Sequence, residues 1–264
     1  VAGSGEHTHM GLSAKLKNGE TKSLFAAANM EEDFLSPVGF GALMGILKNY
    51  EVINPFVSAT NEAFERLKPG FEAPVSIVTS LGHGAKDPSR NRTVLIGLVR
   101  ELKNPLATRF ELRSPNPKSN TYLVLASCFM AMLDGIKASL SQSKSPKELE
   151  KSISKKYGEE DFYLEKNREY RTEEDVYESF TADERDKLFG LAPATVWECL
   201  SAFDKYPEKV EIYSDGGVMP PLVLKSYRAQ VLSQWKTELH DRIIPENMQY
   251  LRNFSKKHAV LLIR

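Results

Sequence analysis

A chain of 264 residues, 41% hydrophobic and 27% charged, has the make-up of an ordinary globular protein and suffices for one large domain or two smaller ones. Its 35 basic and 35 acidic residues cancel, which argues against a broad nucleic-acid surface while leaving room for a local anion site. No apolar run reads as long enough to span a bilayer, no signal peptide opens the chain, and Cys128 and Cys199 fall inside apolar helical patterns as buried, reduced thiols of a cytoplasmic protein.

Val1-Ala2-Gly3-Ser4-Gly5 starts without methionine and runs straight into a strand, as expected for a piece of a longer protein. Glu6 to Leu16 reads as that strand, closed by a turn at Lys17-Asn18-Gly19. Ser36 caps the next helix, Pro37 suits its first turn, and Phe40, Leu43, Met44 and Leu47 make its apolar stripe. Asn54-Pro55 is read as the start of a second helix reaching Leu67, which Lys68-Pro69-Gly70 stops. Residues 75–79 and 93–99 read as strands around a polar loop from Leu81 to Asn91.

A strand at Arg109–Arg113 follows. Ser119 or Asn120 then caps a long helix striped by Tyr122, Leu125, Phe129, Met132, Leu133 and Ile136. Ser145-Pro146-Lys147-Glu148 and Thr181-Ala182-Asp183-Glu184 are capping boxes. Between them lies a charged segment from Lys155 to Asp175. Helices at Thr195–Phe203 and Pro221–Arg242 complete the C-terminal third, and Trp197 and Trp235 are expected in the core. The fold class is α+β, an antiparallel sheet with segregated helices. Residues 1–142 would carry the site and residues 143–264 the helical remainder of the same domain.

The chemistry concentrates where strands alternate. A period of two puts Arg109, Glu111 and Arg113 on one face and Phe110 and Leu112 on the other. Two guanidiniums suit phosphate or carboxylate oxygens, and a carboxylate between them suits a divalent cation; a solvated Arg-Glu-Arg ladder has the same pattern. His7 and His9 likewise share a face, as a metal pair, as one metal ligand beside one nucleotide contact, or as plain polar residues. Gly3 and Gly5 would let backbone amides approach a ligand. Arg66 ends a helix, where it can meet a substrate carboxylate or complement the helix terminus, and Glu72 sits on a Pro/Gly-bounded loop able to close over a site. Arg90-Asn91-Arg92 is a second basic element at a strand start. Together these are the groups that bind a nucleoside triphosphate, a divalent metal and a small carboxylate.

The ordered set resembles glutamine synthetase. Gly3-Ser4-Gly5-Glu6-His7-Thr8-His9-Met10 is similar to that family's glycine-rich His-x-His strand. Residues 66–74 resemble its Arg-x-x-Pro-Gly-aromatic-Glu-Ala-Pro flap, and Arg90-Asn91-Arg92 its Arg-Asn-Arg. Phe110 through Asn120 resembles its Glu-x-Arg strand and Pro-(Asp/Asn)-Pro turn. The likeness runs closely through residues 1–140 and loosely over 190–240, and it is nearest to divergent bacterial type I enzymes.

The resemblance implies a curved antiparallel sheet with helices on one side, of the glutamine synthetase/guanido kinase type. It implies ligation of ammonia to L-glutamate through a γ-glutamyl phosphate, with ATP as co-substrate and Mg2+ or Mn2+ as cofactor. His7 and Glu111 would hold metal, and His9 and Arg109 would touch the ATP phosphates. Arg66, Arg113 and the Gly3 backbone would bind glutamate. Arg92 would stabilise the transferring phosphoryl group, and Glu72 would close the ammonium site and accept a proton. A cytoplasmic ring-forming homo-oligomer, commonly a dodecamer, is implied, with no nucleic-acid or membrane partner.

Departures are visible too. Ala2 replaces the usual asparagine, and Gly97 stands where an arginine usually follows Arg-Asn-Arg, with Arg100 as a possible substitute. The loop from His83 to Pro88 is longer than usual. No Asn-Leu-Tyr adenylylation motif is recognisable within Ser143–Asp175, and the usual C-terminal ending is absent. The family's N-terminal β-grasp domain and upstream metal glutamates lie outside this sequence, so the segment alone is expected to be inactive. A γ-glutamyl ligase for another amine, such as a polyamine, and a non-catalytic structural or regulatory relative are the alternative readings.

Overall fold

In a computed structural model, which describes residues 4–68 and 74–257, the anticipated first strand splits in two. β1 (Thr8–Met10) and β2 (Ser13–Lys15) enter different sheets. β2 forms a hairpin with β3 (Thr21–Ser23) around a turn in which Gly19 takes a φ of 87°. β1 joins β4 (Thr79–Ser80), β5 (Ile96–Glu101) and β6 (Asn104–Leu112) in the order β1-β6-β5-β4. Its β1-β6 and β6-β5 pairs are antiparallel, but β4 pairs with β5 in parallel, so the sheet is mixed rather than purely antiparallel. The connection from β4 to β5 passes through the loop that contains Arg90-Asn91-Arg92 and returns in the same direction.

Alternation along β5 and β6 gives the sheet two distinct faces. Ile96, Leu98, Phe110 and Leu112 are buried in the main core with Met10 of β1. That core is completed by α1 (Pro37–Lys48), α2 (Tyr50–Val57) and α4 (Thr121–Ser141), so these helices back one face and leave the other for Arg109 and Glu111. Ser36 starts α1 by accepting the Gly39 N–H at 3.0 Å, and Asn120 starts α4 by accepting the Tyr122 and Leu123 amides at 3.0 and 3.3 Å. α1 and α4 meet backbone to backbone. A Cβ on Gly45 would lie 2.0 Å from the Ala131 carbonyl oxygen, and one on Gly135 would lie 2.1 Å from that of Gly41. Only glycine permits this approach.

Several sequence-based expectations change. α2 begins at Tyr50, immediately after the Asn49 cap of α1, and carries Pro55 inside it; the short α3 (Asn61–Phe64) follows as a separate element. All eight residues of α2 are buried, the polar Glu51 and Asn54 among them, so its polar positions mark no solvent-facing side. Tyr122 is 85% exposed because the buried face of α4 runs through Val124, Cys128, Ala131, Met132 and Gly135 instead. α4 is also long and apolar enough, by composition, to cross a membrane, contrary to the reading that no run approached that length. Its packing on α1 buries one side of that apolar surface in the core. Both cysteines are free and buried, and burial pushes the Cys128 thiol up to about 12.

α5 (Pro146–Ile153) and α6 (Ala182–Phe189) both start with complete capping boxes, at Ser145/Glu148 and Thr181/Glu184. α7 (Val196–Lys205), capped by Thr195, buries Val196, Cys199, Leu200 and Phe203. Trp197 falls one position off that stripe and is 57% exposed, not in the core as expected. From α8 (Pro207–Val210), the Lys209 ammonium enters a largely buried ionic quartet. Arg168 lies 2.5 Å and Lys209 3.1 Å from the Glu51 carboxylate, and Glu165 pairs with the same two cations at 3.2 and 2.6 Å. The remaining donors reach backbone carbonyls of Lys48 and Phe189. The 155–175 segment is thus bolted to α2 rather than being a solvated charge run.

Residues Val1–Pro220 form one compact unit and Pro221–Arg264 a second. In the second, α9 (Pro221–Glu238) does not run on regularly to Arg242 but passes at Leu239 into a π-helical turn. α10 (Ile244–Glu246) and α11 (Met248–Lys257) follow, with the Tyr250 and Phe254 rings 6.2 Å apart on an exposed face of α11.

Candidate active site

β6 presents Arg109 and Glu111 on the sheet face opposite the core, and Arg113 follows directly after the strand. The antiparallel register sets His9 of β1 opposite Glu111, and Gly97 of β5 opposite Glu111 on the other side. His7, two residues before His9, reaches the same carboxylate: its Nδ1 lies 2.7 Å from Glu111 Oε1. Arg113 Nη1 donates to that oxygen at 3.3 Å, with the arginine side chain only 4% exposed. Arg109 Nε donates to His9 Nδ1 at 3.1 Å, and its Nη1 to the Ala107 carbonyl at 2.8 Å. The structure therefore joins His7, Glu111 and Arg113 in one cluster and His9 with Arg109 in a second, side by side on the same two strands. A Cβ on Gly97 would meet nothing nearer than Glu111 Oε2 at 4.0 Å, so the face beside the carboxylate stays open.

Burial, then the charge of Arg113, lowers the His7 pKa below its ordinary 6.5, against the opposing pull of Glu111. The imidazole is therefore neutral at neutral pH, the form that coordinates a metal. One neutral imidazole and one carboxylate fit part of a divalent coordination sphere. Among the described residues no group of three histidine, cysteine or acidic side chains is clustered for a metal, so further ligands would come from elsewhere, such as phosphate oxygens or water.

Arg66 reaches this region from beyond α3. Its Nη2 donates to the carbonyls of Arg113 at 2.7 Å, Ser114 at 3.1 Å and Pro115 at 3.5 Å. A Cβ on Gly5 would sit 2.5 Å from the Arg66 Cζ, so a larger residue where the N-terminal segment passes over the guanidinium would push that side chain aside. The same turn holds that segment directly: Glu6 N–H donates to the Pro115 carbonyl at 2.8 Å, and Asn116 Nδ2 to that of Ser4 at 3.3 Å. The Pro115-Asn116-Pro117 turn is thus the buckle between the His7 strand and the Arg113 strand.

Arg92 belongs to the loop between β4 and β5. With Arg90, Asn91, His83 and Glu173 it lines a cleft of about 530 Å³ beside β4. Arg100, considered as a replacement for the arginine missing at Gly97, is excluded from that role by strand parity. It is buried on the core face and donates to the carbonyls of Asp33, at 3.0 Å, and Met30. Gly3 and Glu72 lie outside the described residues.

The sequence reading overlooked Arg171 and Glu173, which sit behind the cleft. They carried a usable signal: an arginine and a glutamate two apart in an extended stretch, the same spacing as Arg109 and Glu111. Glu173 accepts the Gly82 amide at 2.8 Å, the Leu81 amide at 3.2 Å and Arg171 Nε at 2.7 Å. Burial pushes its pKa up, but hydrogen bonds from Ser80, Arg171 and Gly82 outweigh that and hold it below the ordinary carboxylate value.

Comparison with known proteins places this geometry. The chain is 40% identical over 134 residues to a glutamine synthetase of Aquifex aeolicus, which covers 51% of this chain and 25% of the relative. It is 32% identical over 223 residues to one of Rhizobium meliloti, covering 79% and 42% respectively. The chain therefore spans a quarter to two fifths of the length of these curated relatives. Among solved structures, the cryo-EM glutamine synthetase of Plasmodium falciparum superposes with a TM-score of 0.56 at 20% identity, over 86% of this chain and 43% of that one, a likeness of fold. The glutamine synthetase catalytic-domain model matches residues 1–190, the stretch that carries every site residue described above. The chain belongs to the glutamine synthetase catalytic-domain family.

Proposed function

We propose that the complete protein joins ammonia to L-glutamate, using ATP to form a γ-glutamyl phosphate that ammonia then attacks. The observation that carries this reading is the convergence of His7, Glu111 and Arg113, with His9 and Arg109 beside them, on the open face of β1 and β6. His7 and Glu111 would hold a Mg2+ or Mn2+ ion, whose charge would neutralise that developing on the phosphoryl oxygens. Arg109, oriented by His9 and the Ala107 carbonyl, would meet the ATP phosphates. Arg113 would take a glutamate carboxylate, and its guanidinium is preset because Glu111 holds one nitrogen. Arg66 would contribute to the glutamate subsite through the backbone it grips at Arg113–Pro115, and Gly3 would add a backbone contact. Arg92 would stabilise the phosphoryl group in transfer. Glu72 would close the ammonium site and take its proton, keeping water from the acyl phosphate. The protein would act as a cytoplasmic ring-forming homo-oligomer, a dodecamer by family likeness, and the segment alone would be inactive.

The test is phosphate release from ATP by the full-length natural protein with Mg2+ and L-glutamate, comparing ammonium with a panel of amines. Stimulation by ammonium is expected. Stimulation only by a polyamine or another amine would make it a sister γ-glutamyl ligase, and silence with all of them would make it a non-catalytic relative.

A further inference from the structure

Segment 170–176 runs beside β4 and is tied to it on both sides: the Thr79 amide donates to the Tyr170 carbonyl at 2.9 Å, and the Thr172 amide to that of Thr79 at 3.0 Å. It also holds the loop after β4. Asn91 Nδ2 donates to the Glu174 carbonyl at 2.7 Å, and the Val176 amide to Thr93 Oγ1 at 3.0 Å. At its centre, the Glu173 carboxylate receives four donors. Leu81 N–H and Arg171 Nε address Oε1, while Gly82 N–H and the Ser80 hydroxyl address Oε2.

A carboxylate only accepts, which fixes the polarity of everything behind it. Ser80 gives its proton to Glu173, so its oxygen is left to accept from the Ser89 hydroxyl. The Ser89 oxygen then accepts the Asn91 amide at 3.1 Å. The chain runs Asn91 N–H, Ser89, Ser80, Glu173, and it ends one residue from Arg92. Asn91 in turn accepts the Thr93 amide at 2.9 Å through Oδ1, which bends the backbone around Arg92. At the other end, Arg171 is anchored on Ser154 at 3.0 Å and on the Gly82 carbonyl at 2.8 Å, with its guanidinium 5.0 Å from the Phe34 ring centre. Gly82 holds a φ of 111°, and a Cβ there would collide with the Asp87 carbonyl at 2.1 Å, so only glycine fits the path the loop takes here.

We propose that Glu173, held by Arg171, is a positioning residue that sets the Arg90-Asn91-Arg92 loop through the one-way relay Ser80–Ser89–Asn91. It acts through the loop, fixing where Arg92 stands. The catalytic part of its consequence rests on the glutamine-forming reading above, whereas the loop geometry does not.

Glu173→Gln removes two of the four contacts that anchor the relay without changing shape. Whichever way its amide turns, the NH2 end faces two donors, so either Ser80 and Gly82 or Leu81 and Arg171 lose their acceptor. Ser89→Ala is the gentler variant, since it leaves the Glu173 contacts intact and removes only the links of Ser89 to Ser80 and Asn91. Amide hydrogen exchange on the full-length natural protein reads the loop directly. In Glu173→Gln, exchange across 81–93 is expected to speed by about ten-fold or more, and in Ser89→Ala the rise is confined to 89–92, while α4 keeps its protection in both. Exchange in 81–93 that matches the natural protein in both variants would overturn the proposal.

Turnover supplies the second reading. Both variants should lose kcat, by up to about 10²-fold, at a nearly constant KM for glutamate, as expected when a stabilising group is misplaced. A lowered melting temperature with unchanged kcat and unchanged exchange in the loop would show a plain structural ion pair. If the natural protein itself released no phosphate while the exchange result held, the function reading would fail and the positioning role would stand.

Discussion

The open face of β1 and β6 and the buried quartet around Glu51 use the same residue types in opposite ways. In the quartet two carboxylates meet two cations, and the remaining donors end on backbone carbonyls. Both cations are already engaged by carboxylates and carbonyls. On the sheet face, His7 and Arg113 both converge on one oxygen of Glu111, and Gly97 opposite leaves space beside the other. A closed set of charges specifies structure, and an unfinished set is what a substrate or metal completes.

The largest effect that separates the two is on stability. Glu51→Ala leaves Arg168 and Lys209 buried without their main partner, and breaking such a pair costs about 3–5 kcal/mol. Urea denaturation should show that loss, and a fall under about 1 kcal/mol would mean the quartet is better hydrated than its burial implies. Arg66 stands between the two regions, buried like the quartet but clasped to the Arg113 strand. Arg66→Ala removes a charged donor from the carbonyls of residues 113–115 and should cost about 1.5–3 kcal/mol. It should also weaken glutamate use, so a stability loss with an unchanged KM for glutamate would assign it wholly to structure. Glu111→Gln preserves the shape of the face and should change stability by no more than about 1 kcal/mol. A larger fall would make Glu111 a member of a closed structural set after all.

The smallest expected effect is in acid. Lys209 and Arg168 hold Glu165 below its ordinary pKa of 4.5 despite the upward push of burial, and Glu173 is held down in the same direction. Carboxylates with lowered folded-state pKa values contribute stability above the unfolded value, and that contribution disappears as pH falls through the folded one. Melting temperatures should therefore drop steadily below about pH 4.5. Glu165→Gln should flatten that slope, and an unaltered slope would remove Glu165 from the balance.

The sequence made the open face easier to read than the closed one. A strand's period of two puts Arg109 and Glu111 on one side whatever surrounds them, and short caps such as Ser36, Asn120 and Ser145 act within three residues. Parity also sufficed in principle to reject Arg100 as a neighbour of Gly97. What could not be read is pairing across long separations: His7 to Glu111 spans 104 residues, and Glu51 to Arg168 spans 117. The parallel placement of β4 depends on contacts with 170–172, equally remote in the chain. α2 escaped for the same reason: its polar Glu51 and Asn54 are buried against partners 117 and 139 residues away. Trp197 shows the converse error, since a large apolar residue was taken as core although the stripe of α7 passes beside it.

The most direct test of the account compares phosphate release from ATP, with Mg2+, L-glutamate and ammonium, by the full-length natural protein and its Glu111→Gln variant. Loss of release by about 10²- to 10³-fold at an unchanged melting temperature is the predicted result, because the charge that completes the open face would be gone while its shape remained. Retained release in the folded variant would contradict the account and move the chemistry away from the β1–β6 face.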